Sequence, residues 1–249
     1  MDVAAYLQRI HYRGPCAPTA ETLRALHLAH HLAVPFENLD IHLGQPIILD
    51  EARFYDKIVR RRRGGFCYEL NGLFAALLRE LGFDVTLLSA RVTTGDGDFS
   101  PEFDHLVLLV QLEERWLADV GFGESFREPL RLDEPGEQRQ PMGTYRLAHD
   151  GADWTMLETN RAGERVDGYR LTLRPRQLAD FAGMCHYQQT SPDSHFTQKR
   201  ICSLATPEGR VSLSDMRLII TANGERSERE LSSPAEYAAA LREHFGIEL

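Results

Sequence analysis

Nowhere in the chain does an apolar run approach the roughly 20 residues that a membrane-spanning helix requires, so no membrane partner is expected. The N-terminus, MDVAAYLQRIHYRG, carries an acid at position 2 and reads as an amphipathic helix, so no signal peptide is expected. Positive charge is in short supply. Lys and Arg number 28 against 37 Asp and Glu, for a net charge of −9 and a pI near 5.6. That balance argues against nucleic-acid binding, and the run Arg60–Arg63 is the only dense basic patch. Cysteine is sparse: Cys16, Cys67, Cys185 and Cys202 form no C-x-x-C pair. Such spacing fits reduced thiols in a cytoplasm better than a disulfide framework or a zinc site. There is no internal repeat and no low-complexity tract. No linker is long enough to separate independent domains, although 249 residues suffice for a sizeable core.

Other motifs fall short of their chemistry. His27 and His31 stand four residues apart on a predicted helix, a zinc-holding spacing, but no HExxH glutamate or third ligand accompanies them. A solvated or helix-packing pair is the better reading, and no metal is expected. Gly121-Phe122-Gly123 has the spacing of neither G-x-G-x-x-G nor G-K-[ST]. Arg60–Arg62 reads as a solvated helix face, with attraction of an anionic ligand as the sharper alternative. Met142, Met156, Met184 and Met216 read as core filler.

What is present begins with helices. Thr19 caps a segment whose Leu23, Leu26 and His30 share one face, ending before Pro35. A second helix is expected to start at Asp50, turn Phe54, Ile58 and Val59 inward, and stop at Gly64-Gly65. A third starts near Cys67 and runs Leu70, Phe74, Leu77, Leu78, Leu81, closed by Gly82. From about residue 83 the period changes to two. The runs VTLLSARV, HLVLLVQL, RWLADV, TYRLAH, DWTMLET and YRLTLR follow, as in a meander or small barrel. A helical piece around RQLADFAGM, a hairpin from RICSLAT to RVSLSD, and a final helix capped by Ser233-Pro234 complete the chain. The reading is a helical block, a β block and a smaller mixed block, packed together.

Cys67 is the residue hardest to dismiss. In the first turn of a helix its sulfur faces unpaired N–H groups and the positive end of the dipole, which favour the nucleophilic thiolate. The bland alternative is a buried cysteine acting as a small hydrophobe. A nucleophile needs a base, and a base needs an orienting group. His105 opens one predicted strand and Asp119 closes the next, fourteen residues on, with Glu113-Glu114 as the turn. Antiparallel pairing would bring the two together, giving a papain-type arrangement.

These residues also resemble a known family, the arylamine N-acetyltransferases. The resemblance rests on Arg63-Gly64-Gly65-Phe66-Cys67-Tyr68-Glu69-Leu70-Asn71-Gly72, on Val34-Pro35-Phe36-Glu37-Asn38-Leu39-Asp40, on Asp104-His105-Leu106-Val107-Leu108-Leu109-Val110, on Ala118-Asp119-Val120-Gly121-Phe122-Gly123, and on Ser191-Pro192-Asp193-Ser194-His195-Phe196-Thr197. It implies an α+β fold: a helical bundle (1–82), a β-barrel (83–184) and an α/β lid (185–249), the first two arranged like a cysteine protease. It implies Cys67, His105 and Asp119 as catalytic triad, with oxyanion stabilisation by the backbone N–H groups of Cys67 and Tyr68. Phe36, Val92 and Phe122 would wall the acceptor pocket, and Gly121, Gly123, His195, Phe196 and Thr197 would lie near the donor. Glu37, Asn38, Arg63, Glu69 and Asn71 would form the supporting polar network. The activity implied is acetyl transfer from acetyl-CoA, a substrate rather than a bound cofactor, to arylamines and arylhydrazines, by a cytoplasmic monomer or homodimer.

The chain is shorter than the family leads one to expect, with the shortfall placed after Asp119. Asp104 stands where a threonine is expected, so its carboxylate either bears on the histidine's charge or faces solvent. A cysteine peptidase, a transglutaminase-like protein or a macrolactam-forming amide synthase would use the same triad with another acyl donor. A scaffold without activity would leave Cys67 inert.

Overall fold

The computed structural model describes residues 1–94, 97–160 and 162–249. Helices α1 (Val3–Arg9) and α2 (Ala20–Ala33) come first, capped by Asp2 and by Thr19, whose hydroxyl accepts from the Thr22 N–H. A two-residue strand β1 (Phe36–Glu37), α3 (Leu39–His42) and α4 (Glu51–Tyr55) follow. Helix α4 runs on into a π-turn, Asp56–Arg60, which turns Lys57, Ile58 and Val59 inward. Gly64-Gly65 does not stop this helix: it has ended by Arg61, and Arg62 takes a left-handed φ of 54°. The third predicted helix is α5 (Cys67–Glu80), with Gly82 beyond its end at φ 87°.

Eight antiparallel strands then form one sheet. They are β2 (Asp84–Val92), β3 (His105–Gln111), β4 (Arg115–Ala118), β5 (Leu130–Arg131), β6 (Gln138–Gln140), β7 (Gly143–Asp150), β8 (Asp153–Asn160) and β9 (Arg165–Thr172), in the order β5-β4-β3-β2-β9-β8-β7-β6. The sheet curls until its edge strands meet. No ladder joins β5 to β6; the Gln138 side chain accepts from the Arg131 N–H and donates to the Arg131 carbonyl. Gln140 does the same between Arg127, Glu128 and its own strand. The result is a nearly closed barrel. Strand β3 explains the run HLVLLVQL: Leu106, Leu108 and Val110 pack against the helices while Val107 points into the barrel interior. Both faces are buried, so the sequence is apolar almost throughout.

A 3₁₀ turn (Leu178–Phe181), α6 (Ala182–Thr190) and α7 (His195–Gln198) lead to β10 (Ile201–Thr206), β11 (Gly209–Ser214), β12 (Arg217–Ala222) and β13 (Glu225–Glu230), then α8 (Pro234–Phe245). These strands form a second sheet in the order β1-β10-β11-β12-β13. Strand β1 thus pairs across most of the chain, with Phe36 opposite Ser203 and Glu37 opposite Cys202. The expected hairpin is β10–β11; the second hairpin, turning at Asn223-Gly224, was not expected. Its outer strand, ERSERE, is wholly exposed and alternates in charge, which blunts an open edge. Of the four methionines read as core, Met156 is fully buried, while Met142, Met184 and Met216 are partly exposed.

Candidate active site

The start of α5 is built from close approaches and buried charge. A Cβ on Gly64 would lie 2.0 Å from the Pro35 carbonyl oxygen, and one on Gly65 2.8 Å from the Glu69 carboxylate. The glycines are there so that residues 35–37 and Glu69 can press against the turn. Glu69 accepts from the Phe66 N–H at 3.1 Å and so caps the helix that carries Cys67. Lys57 Nζ donates to Glu69 at 2.9 Å and reaches Asp40 at 2.8 Å, while Arg63 binds both Glu37 and Asp40. Two cations and three carboxylates are thus buried together. Burial pushes the Glu69 carboxyl up to about 7, with Lys57 opposing and Glu37 adding to the shift. Burial works against charge on Lys57 too, but Glu69, Glu37 and Asp40 overcome it and hold its ammonium above the ordinary range.

Across from this helix start, β3 opens with His105 and Asp119 follows directly on β4. His105 Nε2 donates to Asp119 Oδ2 at 2.7 Å, with both side chains almost fully buried. A ring that donates from Nε2 keeps Nδ1 as its basic nitrogen. Asp119 Oδ1 accepts from Asn71 Nδ2 at 2.8 Å and from the Gly121 N–H at 2.9 Å. Burial alone would raise the Asp119 carboxyl, yet the facing His105 and these donors hold it below its ordinary value. The Tyr169 and Phe122 rings pack on the imidazole, at 5.4 and 5.1 Å between centroids.

The two halves are stitched directly. Tyr68 Oη donates to the Phe103 carbonyl at 2.8 Å, and Cys67 Sγ lies 4.0 Å from the carbonyl oxygen of Asp104, the residue before His105. Phe103 carries a left-handed φ of 68°, a strained conformation at the turn into β3. Gly121 seals the joint, since a Cβ there would sit 2.8 Å from Cys67 Cα and 2.7 Å from Asn71 Nδ2.

Cys67 and His105 open onto one cavity of about 310 Å³. Phe36, Val92, Gly121, Phe122, Gly123, His195 and Phe196 line it, as do Asp104, Glu124, Gln188, Ile201, Ser203 and Ser212. Thr197 stands apart, its hydroxyl donating to the carbonyls of Ser191 and Ser194. Asn38 also acts away from the triad: its side chain donates to Phe196 and Lys199 and accepts from Ile201, tying down the far wall. The Asp104 carboxylate accepts from Gln188. Arg60 and Arg61 pair with Asp56 on the outer surface, away from the cavity.

The N-acetyltransferase family profile matches residues 19–249. An arylamine N-acetyltransferase of Escherichia coli is 39% identical over 246 residues, covering 97% of this chain and 87% of that protein. The chain belongs to the arylamine N-acetyltransferase family. It is an enzyme of the acyltransferase class. An arylamine N-acetyltransferase / N-hydroxyarylamine O-acetyltransferase of Salmonella typhimurium is 40% identical, covering 82% of this chain and 73% of the relative. The solved structure of the Mycobacterium marinum arylamine N-acetyltransferase in complex with CoA superposes with a TM-score of 0.91, at 34% identity, covering 99% of this chain and 93% of that one. The α+β fold with its cysteine-protease-like core is the fold of this family.

Several residues that shape this site have roles that their sequence pattern does not name. Lys57 sits beside exposed arginines, and Asp40 ends one of the resembling motifs with no role assigned to it, yet both belong to the buried cluster under Cys67. His27 and His31 are buried against the backbone of Asp119. Among the described residues no group of three or more His, Cys, Asp or Glu could hold a metal ion, and no helix is long and apolar enough to cross a membrane.

The thiol departs from the simple helix-dipole expectation. Burial pushes the Cys67 thiol well up, and negative charge on Asp104, Cys185 and Asp119 pushes the same way. In so dry a site the helix terminus alone does not secure the anion. A thiolate here needs a neighbouring cation.

Proposed function

We propose that the chain transfers acetyl groups from acetyl-CoA to arylamines and arylhydrazines by a ping-pong route through an acetyl-cysteine on Cys67. The observation that carries this reading is the 2.7 Å His105–Asp119 bond at the wall of the apolar cavity onto which Cys67 opens. His105, oriented by Asp119, takes the thiol proton at Nδ1. The sulfur attacks the thioester carbonyl, and the N–H groups of Cys67 and Tyr68, which have no intrahelical partners, stabilise the oxyanion. The imidazolium returns its proton to the departing coenzyme A thiolate. An arylamine then attacks the acetyl-cysteine carbonyl while His105 accepts the amine proton, and the Cys67 sulfur leaves. Arylamines are weakly basic and neutral near pH 7, so a pocket walled by Phe36, Val92 and Phe122 costs them little desolvation. An N-hydroxyarylamine offers an oxygen nucleophile on the same ring frame, and its O-acetylation belongs to the proposal.

In this reading residues 1–82 carry the nucleophile, 83–184 the base and acid, and 185–249 the lid over the donor. Four unpaired cysteines suit a reducing, cytoplasmic setting. The CoA complex of the Mycobacterium marinum relative supports the choice of donor.

The test is intact mass after mixing with acetyl-CoA and no amine. A single acetyl group on Cys67 and an equivalent of released coenzyme A are expected, discharged on adding 4-aminosalicylate or isoniazid, with parallel double-reciprocal lines. A peptidase would take up no acetyl group, and an amide synthase would charge poorly from so small a donor. Absence of Cys67 acetylation at millimolar acetyl-CoA in folded, reduced protein overturns the reading.

A further inference from the structure

Asp119 is engaged at both carboxylate oxygens, one on His105 and the other on Asn71 and the Gly121 N–H. The direction of its carboxylate is therefore set by where its backbone is held. The ladder does not hold it, because pairing of β3 with β4 ends at Leu108 opposite Ala118. Two histidines of α2 take over. The Asp119 N–H donates to His27 Nε2 at 3.1 Å, and His31 Nε2 donates to the Asp119 carbonyl at 3.2 Å.

The roles of the ring nitrogens follow from these partners. His27 Nδ1 lies 2.7 Å from the Arg127 carbonyl, which can only accept, so Nδ1 carries the hydrogen and Nε2 is bare. A neutral His27 thus satisfies both neighbours, and a proton on Nε2 would face another N–H. The ring is also fixed in plane, stacked on Phe126 at 5.8 Å and 10°, with His31 edge-on at 4.7 Å. A residue needed only to fill volume between a helix and a sheet would be served by leucine, as at Leu23 and Leu26 on the same helix. Burying two imidazoles is costly unless their hydrogen bonds do something specific.

We propose that His27 and His31 are positioning residues that clamp the peptide of Asp119 so that its carboxylate meets His105, setting the rate of acyl transfer without touching substrate. Neither residue lines the cavity. The proposal rests on the reading of Asp119 as the acid of the triad.

Replacing His27 by Leu keeps bulk and removes both hydrogen bonds, whereas His27→Gln offers a donor and an acceptor on one side chain. Each variant, with His31→Leu, is assayed for kcat and KM and for the rate at which iodoacetamide alkylates Cys67, with circular dichroism and Tm reporting the fold. His27→Leu is expected to lower kcat and Cys67 alkylation about tenfold to a hundredfold, the scale of a small misplacement of a catalytic group, with little change in KM. His27→Gln is expected to recover most of that loss, and His31→Leu to fall between. Folded His27→Leu protein with wild-type kcat and alkylation overturns the proposal, as does an equal loss in Leu and Gln variants. Should His27→Leu not fold, His31→Leu decides: reduced kcat at unchanged KM supports the clamp, and wild-type kcat refutes it. Alkylation needs neither acyl donor nor amine, so the clamp can be judged even if acetyl transfer itself were not found.

Discussion

Asn71 donates to Asp119 Oδ1 at 2.8 Å, on the other oxygen from the one His105 holds. Asn71 lies four residues after Cys67, one turn along α5, so the helix face that presents Cys67 also grips Asp119. The same side chain donates to the Leu106 carbonyl and accepts from the Val120 N–H, joining β3 to the segment just past β4.

Asp119→Asn leaves the shape of this junction and removes its charge. An amide cannot accept from His105 and Asn71 on equal terms, nor stabilise an imidazolium. Comparable triads lose on the order of 10⁴ in rate from this change, and sites that tolerate an amide lose less. A fall of at least about a hundredfold in kcat/KM is expected. A near-normal Asp119→Asn enzyme would mean that Asp104 orients His105, although its carboxylate is engaged by Gln188.

Thiol reactivity separates Cys67 from the other cysteines. Cys185 and Cys202 are buried, while Cys16 is exposed and serves as the unassisted standard. Burial pushes the Cys185 thiol up to about 12, with the Glu69 charge adding to it. Iodoacetamide should modify Cys67 first, and His105→Gln should remove that advantage. Peptide mapping that ranks Cys67 no faster than Cys16 in the wild type would exclude an activated nucleophile. Cys67→Ala and Cys67→Ser should both abolish transfer in a folded protein.

Lys57 is the keystone of the buried charge cluster, within 2.9 Å of Glu69 and 2.8 Å of Asp40. Lys57→Met leaves three carboxylates facing Arg63 alone. Breaking a buried network from one side costs about 3–5 kcal/mol, because charge is left behind uncompensated. Urea unfolding should show a loss of that order, partly recovered by adding Glu69→Gln. A Lys57→Met protein as stable as wild type would show that the cluster is held by Arg63 alone.

His27 also predicts an acid sensitivity. Burial lowers its imidazole to about 4 in the folded protein from an ordinary 6.5. Between those values the unfolded chain binds a proton that the folded one does not, so stability rises with pH and is lost on acidification. The slope is about 1.4 kcal/mol per pH unit for one such group. Glu69, raised to about 7, works in the opposite direction, gaining stability as pH falls from 7. Comparison with His27→Gln cancels that contribution. The stability difference, wild type minus variant, should shrink steadily as pH falls from about 6.5 to 4. A pH-independent difference would mean that His27 is not buried neutral.

Much of this was legible from residue order. The 3–4 spacing from Leu70 to Leu81 marked α5, and the fourteen-residue interval with a Glu-Glu turn marked the hairpin that carries His105 and Asp119. Both are local patterns. What stayed hidden depends on distant partners: β1 pairs with β10 more than 160 residues away, Lys57 is buried by charges from three segments, and His27 and His31 hold the Asp119 backbone just past β4. Gly64-Gly65 do not stop the preceding helix, and the neighbours whose close approach they admit are Pro35 and Glu69. Spacing along the chain carries no trace of such neighbours.

Gly121 rests its backbone on Cys67 Cα with no room for a methyl group between them. Cys67 travels with the helices and His105 with the sheet, so neither part holds the pair until this contact closes. A fast thiol reagent therefore counts docked molecules. In a refolding experiment, the moment at which Cys67 becomes fast-reacting would clock the docking of helices onto sheet, separately from the formation of either.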